Sequence, residues 1–217
     1  MQLFLIRHPR PQFAAGVCYG QLDVEADVPQ ALAERLLALL PADTPVISSP
    51  LRRARQLADA LHPQALVDAR LMEIDFGRWE GLPWSKIDRQ LLDAWAADLL
   101  HFVPPGGESV AMLQARVVDC LASLRGPRTA VVTHAGAIRA ALGHWLQLPI
   151  AEWSRLTVDF GSITLLEVDS TGAGQRVDSR QQTARPARST PGTLHYVNRC
   201  APQGAATVAG GRAHPRG

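Results

Sequence analysis

The chain has 217 residues, 47% of them hydrophobic, enough for one α/β domain with a well-buried core. Its net charge of +2 is uneven: residues 1–169 hold 15 Lys+Arg against 19 Asp+Glu, and residues 170–217 hold seven Arg against Asp178 alone. That split excludes a uniformly basic nucleic-acid binder, and no stretch approaches the roughly 20 apolar residues a membrane span needs. Cys18, Cys120 and Cys200 lack CxxC or Cys/His ligand spacing, which argues for a reducing compartment and against a disulfide framework or a zinc site. The opening MQLFLIRHPRP has a short apolar run and no basic lead, so a signal peptide is not expected and the cytoplasm is.

In chain order, Leu3–Ile6 reads as a buried parallel strand that delivers Arg7 and His8 at its carboxyl end. Residues 9–29, rich in proline and glycine, read as a loop. Gln30–Leu40 places Leu32, Leu36, Leu37 and Leu40 at helical spacing before Pro41. Pro45–Ser48 is a second strand. Ser48 or Ser49 can cap the helix that follows, with Pro50 in its first turn and its last residue near Leu61. A third strand is expected over Val67–Leu71, and helices over Trp84 to about Leu100 and Ser109 to Leu124. Thr129–Thr133 is an apolar strand that ends, like the first, in a histidine, His134. A helix follows from Ala137 to Leu146, and Ser162–Val168 is the last core strand.

Alternating strands and helices imply an α/β fold, a three-layer α/β/α sandwich with a mainly parallel sheet. One domain is expected over residues 1–169. Beyond Asp169 the composition turns to Gly, Pro, Ser, Thr, Gln and Arg, a basic tail expected to be mostly disordered, with an edge strand at 193–197.

Open α/β sheets place their sites beyond the carboxyl ends of the strands. If the strands ending IRH (6–8) and VTH (132–134) are neighbours, two imidazoles and Arg7 share one pocket. The SSPLRRA segment adds Arg52 and Arg53 in the first turns of a helix. Arginines and histidines without clustered carboxylates suit an anion, phosphate above all, because guanidinium forks bind phosphate oxygens bidentately. Each residue alone has a plainer reading: His134 as a hydrogen-bonded structural histidine, Arg7 as a salt-bridged strand end, Arg52, Arg53 and Arg55 as a solvated helix face. The combination carries the functional reading.

The ordered set RH, SSPLRRARQLA, LMEIDFGRWEG and VVTHAG, spanning roughly residues 1–168, resembles the histidine phosphatase superfamily, which includes the phosphoglycerate mutases. The resemblance implies a phosphoglycerate mutase-like fold and the following roles. His8 is the nucleophile that becomes a phosphohistidine, Arg7 and Arg53 are the phosphate clamps, His134 is the second pocket histidine, and Glu73 is the proton donor. Asp75 and Glu80 are rivals for the last role. No metal and no cofactor are implied. The family's usual glycine after RH is Pro9 here, followed by Arg10 and Pro11, and a proline supplies no amide to a phosphate.

The stretch GVCYGQLDV (16–24), the RHPRP start and LHYVNR (194–199) resemble the α-ribazole phosphatase subgroup of the cobalamin lower-ligand pathway. That resemblance implies a phosphomonoesterase acting on a small phosphorylated metabolite, α-ribazole 5′-phosphate in the narrowest reading. The rivals are a phosphoglycerate mutase-type phosphotransferase and a non-catalytic protein that binds phosphorylated ligands. Tyr19, Gln21 and Gly136 are candidate contacts to the organic part of a substrate, with loop packing as the plainer role for the first two. Trp79, Trp84 and Trp95 suit either a pocket mouth or helix packing.

Overall fold

The computed structural model describes residues 1–13, 15–168 and 192–200. The expected boundary at residue 169 and most of the basic tail lie outside them. Six strands form one sheet in the order β3-β2-β4-β1-β5-β6. They are β1 (Gln2–Arg7), β2 (Val46–Ser48), β3 (Leu66–Val67), β4 (Arg128–Thr133), β5 (Ser162–Val168) and β6 (Gly192–Cys200). The first four strands in that order run parallel, and β5 and β6 are antiparallel additions on the β1 side.

Both faces are covered, and the alternation along β1 shows how. Leu3 and Leu5 face helices α4 (Val110–Ser123) and α5 (Ala135–Trp145), packing with Leu113, Val117, Ile138 and Leu142. Phe4 and Ile6 face helices α1 (Gln30–Leu37) and α2 (Arg52–Leu61), packing with Leu36, Ala54 and Leu57. Period-two alternation in a strand thus feeds two separate apolar layers, and the α/β/α sandwich read from the sequence is the fold.

Several element boundaries differ from the sequence reading, two of them for a local polar reason. Only Leu66–Val67 pairs as a strand; Asp68 then accepts the Arg70 amide at 2.8 Å and turns the chain into a 3₁₀ turn, Ala69–Leu71. The expected long helix from Trp84 is broken. A 3₁₀ turn at Trp84–Lys86 is followed by Asp88, which caps α3 (Arg89–Ala97) by accepting the amides of Gln90 and Leu91. Neither serine caps α2: its N-cap is Leu51, whose amide donates to Ser49 Oγ at 3.3 Å. Helix α5 begins at Ala135, directly after His134, and α1 ends at Leu37 rather than Leu40. A short helix, α6 (Ile150–Trp153), has no counterpart in the sequence reading. Its Trp153 lies flush on α5 at Gly143, where a Cβ would sit 2.1 Å from the indole.

Candidate active site

Three adjacent parallel strands end at one level. Register pairs Arg7 with Thr133 and Ser48 with Val132, so the residues next in sequence, His8, His134 and Ser49, emerge side by side. Backbone bonds continue each ladder by one step, from the His8 amide to the Thr133 carbonyl and from the Ser49 amide to the Val132 carbonyl, both 3.0 Å. The two imidazole centroids are 5.0 Å apart, and both rings are buried.

The His8 ring is held by its own chain. Nδ1 lies 2.6 Å from the Pro9 carbonyl, which as an acceptor fixes the ring proton on Nδ1 and leaves the Nε2 lone pair available. Position 9 therefore contributes a carbonyl to the site, and proline supplies that as well as glycine does. Burial first, then the Arg53 charge, hold the His8 pKa well below the usual histidine value, partly opposed by the Pro9 carbonyl. The ring is neutral at neutral pH.

His134 is oriented through Ser49, whose Oγ is 2.8 Å from Nε2. The same oxygen accepts from the Leu51 amide; when the hydroxyl proton points at Nε2, the ring proton sits on Nδ1. Nδ1 is buried with no protein partner among the described residues. Burial, then His8 and Arg53, lower this histidine's pKa well below its ordinary value. Sequence reasoning missed Ser49 in this role; its only signal was the SSP turn, read as a cap.

The two clamps are built differently. Arg7 donates from Nη1 to the Val158 carbonyl at 2.6 Å, and its guanidinium carbon lies 3.5 Å from the centre of the Phe160 ring. Arg53 is fully buried on the first turn of α2 and donates to the carbonyls of Gly20 (2.6 Å) and Leu22 (2.9 Å). Arg52 instead lies at the surface, its backbone amide on Asp23 and its side chain on Glu25. Burial lowers both clamp pKa values, and in both the neighbouring charge of Glu73 counters it.

Glu73 thus lies within electrostatic reach of both clamps. Its Oε1 accepts the Ile74 amide (3.0 Å) and its Oε2 the Gly136 amide (3.1 Å). The rival carboxylates likewise accept backbone amides. Asp75 Oδ1 accepts the Gly77 amide at 2.7 Å, closing the following turn, and Glu80 Oε1 accepts the amides of Gln21 and Phe76. Of the two, Glu80 also reaches Arg53, whose pKa its charge raises.

The acid segment is fastened from below by Arg116 on α4. Its guanidinium donates to the carbonyls of Arg70, Met72 and Glu73 at 2.8–2.9 Å and pairs with Glu108, which accepts the Asp75 amide.

A cavity of about 250 Å³ opens on Glu73 between Tyr19, Trp84, Gly136 and Arg139. Tyr19 connects it to the buried cluster: its ring centre is 5.4 Å from the Arg53 guanidinium carbon, and it acts electrostatically on Arg7. The Gln21 amide group donates to the Glu73 carbonyl at 3.1 Å, and the Gly136 amide is held by Glu73, so both touch the acid. Cys18 is buried beside this cavity, its thiol pushed up to about 12 by burial. Trp79 is buried in an aromatic cluster with Phe76 and Phe102, whereas Trp84 lines the cavity.

Residues 3–179 match the family model described as Histidine phosphatase superfamily (branch 1). Similar proteins include a bifunctional protein of Mycobacterium tuberculosis strain H37Rv, 34% identical over 139 residues that cover 59% of this chain and 38% of the relative. The chain thus spans well under half the length of that relative. A glucosyl-3-phosphoglycerate phosphatase of the same strain is 30% identical over 178 residues, 71% of this chain and 79% of the relative. Among solved structures, mycobacterial hydrolase 2 superposes with a TM-score of 0.72 at 27% identity, covering 94% of this chain and 93% of that one.

Proposed function

The chain belongs to the histidine phosphatase superfamily, and we propose that it is a metal-independent phosphomonoesterase that works through a phosphohistidine on His8. The observation that carries this reading is the His8 ring, neutral, tied at Nδ1 to the Pro9 carbonyl and lying among Arg7, Arg53 and His134.

In the first step the Nε2 lone pair attacks phosphorus in line, and the bond from phosphorus to the ester oxygen breaks. The departing alkoxide takes a proton from the Glu73 carboxyl. Arg7, Arg53 and the Nδ1–H of His134 stabilise the charge on the equatorial oxygens, so the chemistry requires no metal ion. In the second step water attacks phosphorus, Glu73 takes its proton, and the nitrogen–phosphorus bond breaks to release phosphate and neutral His8.

The substrate is a small phosphorylated metabolite. The narrow candidate is α-ribazole 5′-phosphate, supported by the likeness of residues 16–24 to the loop of that subgroup and implying a place in cobalamin biosynthesis. Glucosyl-3-phosphoglycerate, the substrate named for a 30% identical relative, is the second compound to test.

Phosphate release in chelator from these two, an aryl phosphate and 3-phosphoglycerate, with His8→Ala as control, tests the reading. The expected result is release that His8→Ala abolishes, with an acid-labile, base-stable phosphoenzyme in rapidly quenched wild type. Preference for α-ribazole 5′-phosphate fixes the pathway. Phosphate transfer from a bisphosphoglycerate to 3-phosphoglycerate without release would make the protein a mutase. Binding without either reaction would make it a non-catalytic receptor.

A further inference from the structure

A second cavity of about 280 Å³ adjoins the one that opens on Glu73, and the two share Ile74, Phe76, Gly136 and Arg139 as walls. Beyond that shared neck the walls are apolar but for Ser154, with two aromatic rings among them: Trp95, Leu99, Leu113, Ile150 and Trp153. These residues come from α3 with the residue just past Asp98, the first turn of α4, and α6 with the residue that follows it. None of them was assigned a role by the reaction above.

Arg139 stands at the neck. Its Nε donates to the Leu156 carbonyl at 3.1 Å, and among the described residues neither terminal nitrogen has an acceptor or a carboxylate partner. Its charge is felt by Arg7, so it lies at the phosphate end of the chamber. Away from Arg139 and Ser154, the hydroxyls of a sugar or glycerate would face Phe76, Trp95 and Trp153 without partners, and such desolvation is costly. A planar apolar group would bury its faces against those rings and pass under a guanidinium, which stacks on aromatic surfaces.

Resting on the phosphomonoesterase reading, we infer that this chamber is the leaving-group subsite and that its occupant is a neutral aromatic ring carried on a short arm from the phosphate. Arg139 reads the ring's π face, and the apolar walls read its surface.

The test uses phosphonates, which bind without turning over: propyl-, 3-cyclohexylpropyl- and 3-phenylpropylphosphonate, titrated calorimetrically into the full chain. Burying the ring is expected to tighten binding roughly 10–100-fold over propyl. The phenyl compound should beat the cyclohexyl one by about two- to fivefold through the guanidinium. Leu99→Trp, which fills the chamber from its half-buried lip, should collapse the first ratio, and Arg139→Gln should collapse the second while keeping the first. Thermal melts check that both variants fold. Equal affinity for all three phosphonates in the wild-type protein would overturn the subsite. Equal binding of cyclohexyl and phenyl, both above propyl, would overturn the aromatic assignment. Phosphate release from the matching esters, run with His8→Ala, judges the hydrolase reading separately, because the binding ratios do not depend on turnover.

Discussion

The two sides of the candidate site are built on different principles. The nucleophile side, His8, His134 and Ser49, emerges from three hydrogen-bonded parallel strands whose register places them together. The acid side, residues 68–82, has no paired strand. It is a run of 3₁₀ turns held by carboxylates on amides and by one partly buried guanidinium on carbonyls. A sheet supplies position through many cooperative bonds, whereas a loop needs a dedicated fastener for each bend. Damage to a single side chain should therefore be absorbed on the first side and propagate on the second.

The largest effect is expected at the fastener itself. Arg116→Ala removes three carbonyl contacts and leaves Glu108 as an uncompensated, largely buried carboxylate. Losing one partner of such a pair costs about 3–5 kcal/mol. Denaturant melts should show that loss. In whatever fraction stays folded, turnover of alkyl phosphates should fall further than phosphate affinity, because Glu73 moves and the clamps do not. A stability change below about 1 kcal/mol would mean that the segment holds its own shape.

Gly136→Ala sharpens the comparison from within the site. A Cβ there would lie 2.2 Å from Glu73 Oε1, so the carboxyl must turn away while the sheet is untouched. An alkyl ester needs its leaving oxygen protonated and should lose about 10²-fold in kcat/KM. A 4-nitrophenyl ester leaves without help and should lose only a few-fold. Equal losses for both esters would remove Glu73 from the proton-donor role and return Asp75 to consideration.

The contrast also explains what the sequence disclosed. Leu3–Ile6 and Thr129–Thr133 are apolar runs that each end in a histidine, which reads as two buried strands; that they are neighbours is settled by the pairing of β1 with β4. The α/β/α layering followed from the same signal. The acid segment has no period, so the boundaries around Val67–Leu71 and Trp84 shifted wherever Asp68 and Asp88 capture amides. Spacing alone could not separate Glu73 from Asp75, two residues apart in a segment without a period. Arg116 stands 43 residues from Glu73, and nothing in local spacing reports a contact at that separation. Ser49 was legible as a turn residue and not as the partner of His134, because that contact spans 85 positions.

On the sheet side, Ser49→Ala tests how much the register can absorb. The His134 ring keeps its place at the end of β4 but loses the hydroxyl that holds its proton on Nδ1. A buried imidazole nitrogen left unpaired costs about 1–3 kcal/mol. A tenfold drop in the rate of phosphoenzyme formation is expected, with little change for His8 in nitrogen-15 spectra. Those spectra should show His134 moving from the Nδ1–H tautomer to a mixture. An unchanged tautomer would show that the backbone alone orients the ring.

The smallest effect is a pH dependence that the sheet side imposes on the whole fold. Burial holds His8 and His134 well below the usual histidine value, so the unfolded chain takes up protons near pH 6.5 that the native state refuses. The sign follows: stability is fully present above that value and declines as pH falls through the window down to the depressed native values. Each histidine should account for about 0.7 kcal/mol between pH 7 and 6. His134→Gln removes one of the two, so its stability should fall by about that much less than the wild type's over the same interval. A parallel pH course for the two proteins would mean that folding leaves the proton affinity of His134 unchanged, and a steeper fall for the variant would mean that His134 is protonated in the native state. Its Nδ1–H and Nε2–H would then both be donors, and Ser49 would accept from the ring instead of donating to it.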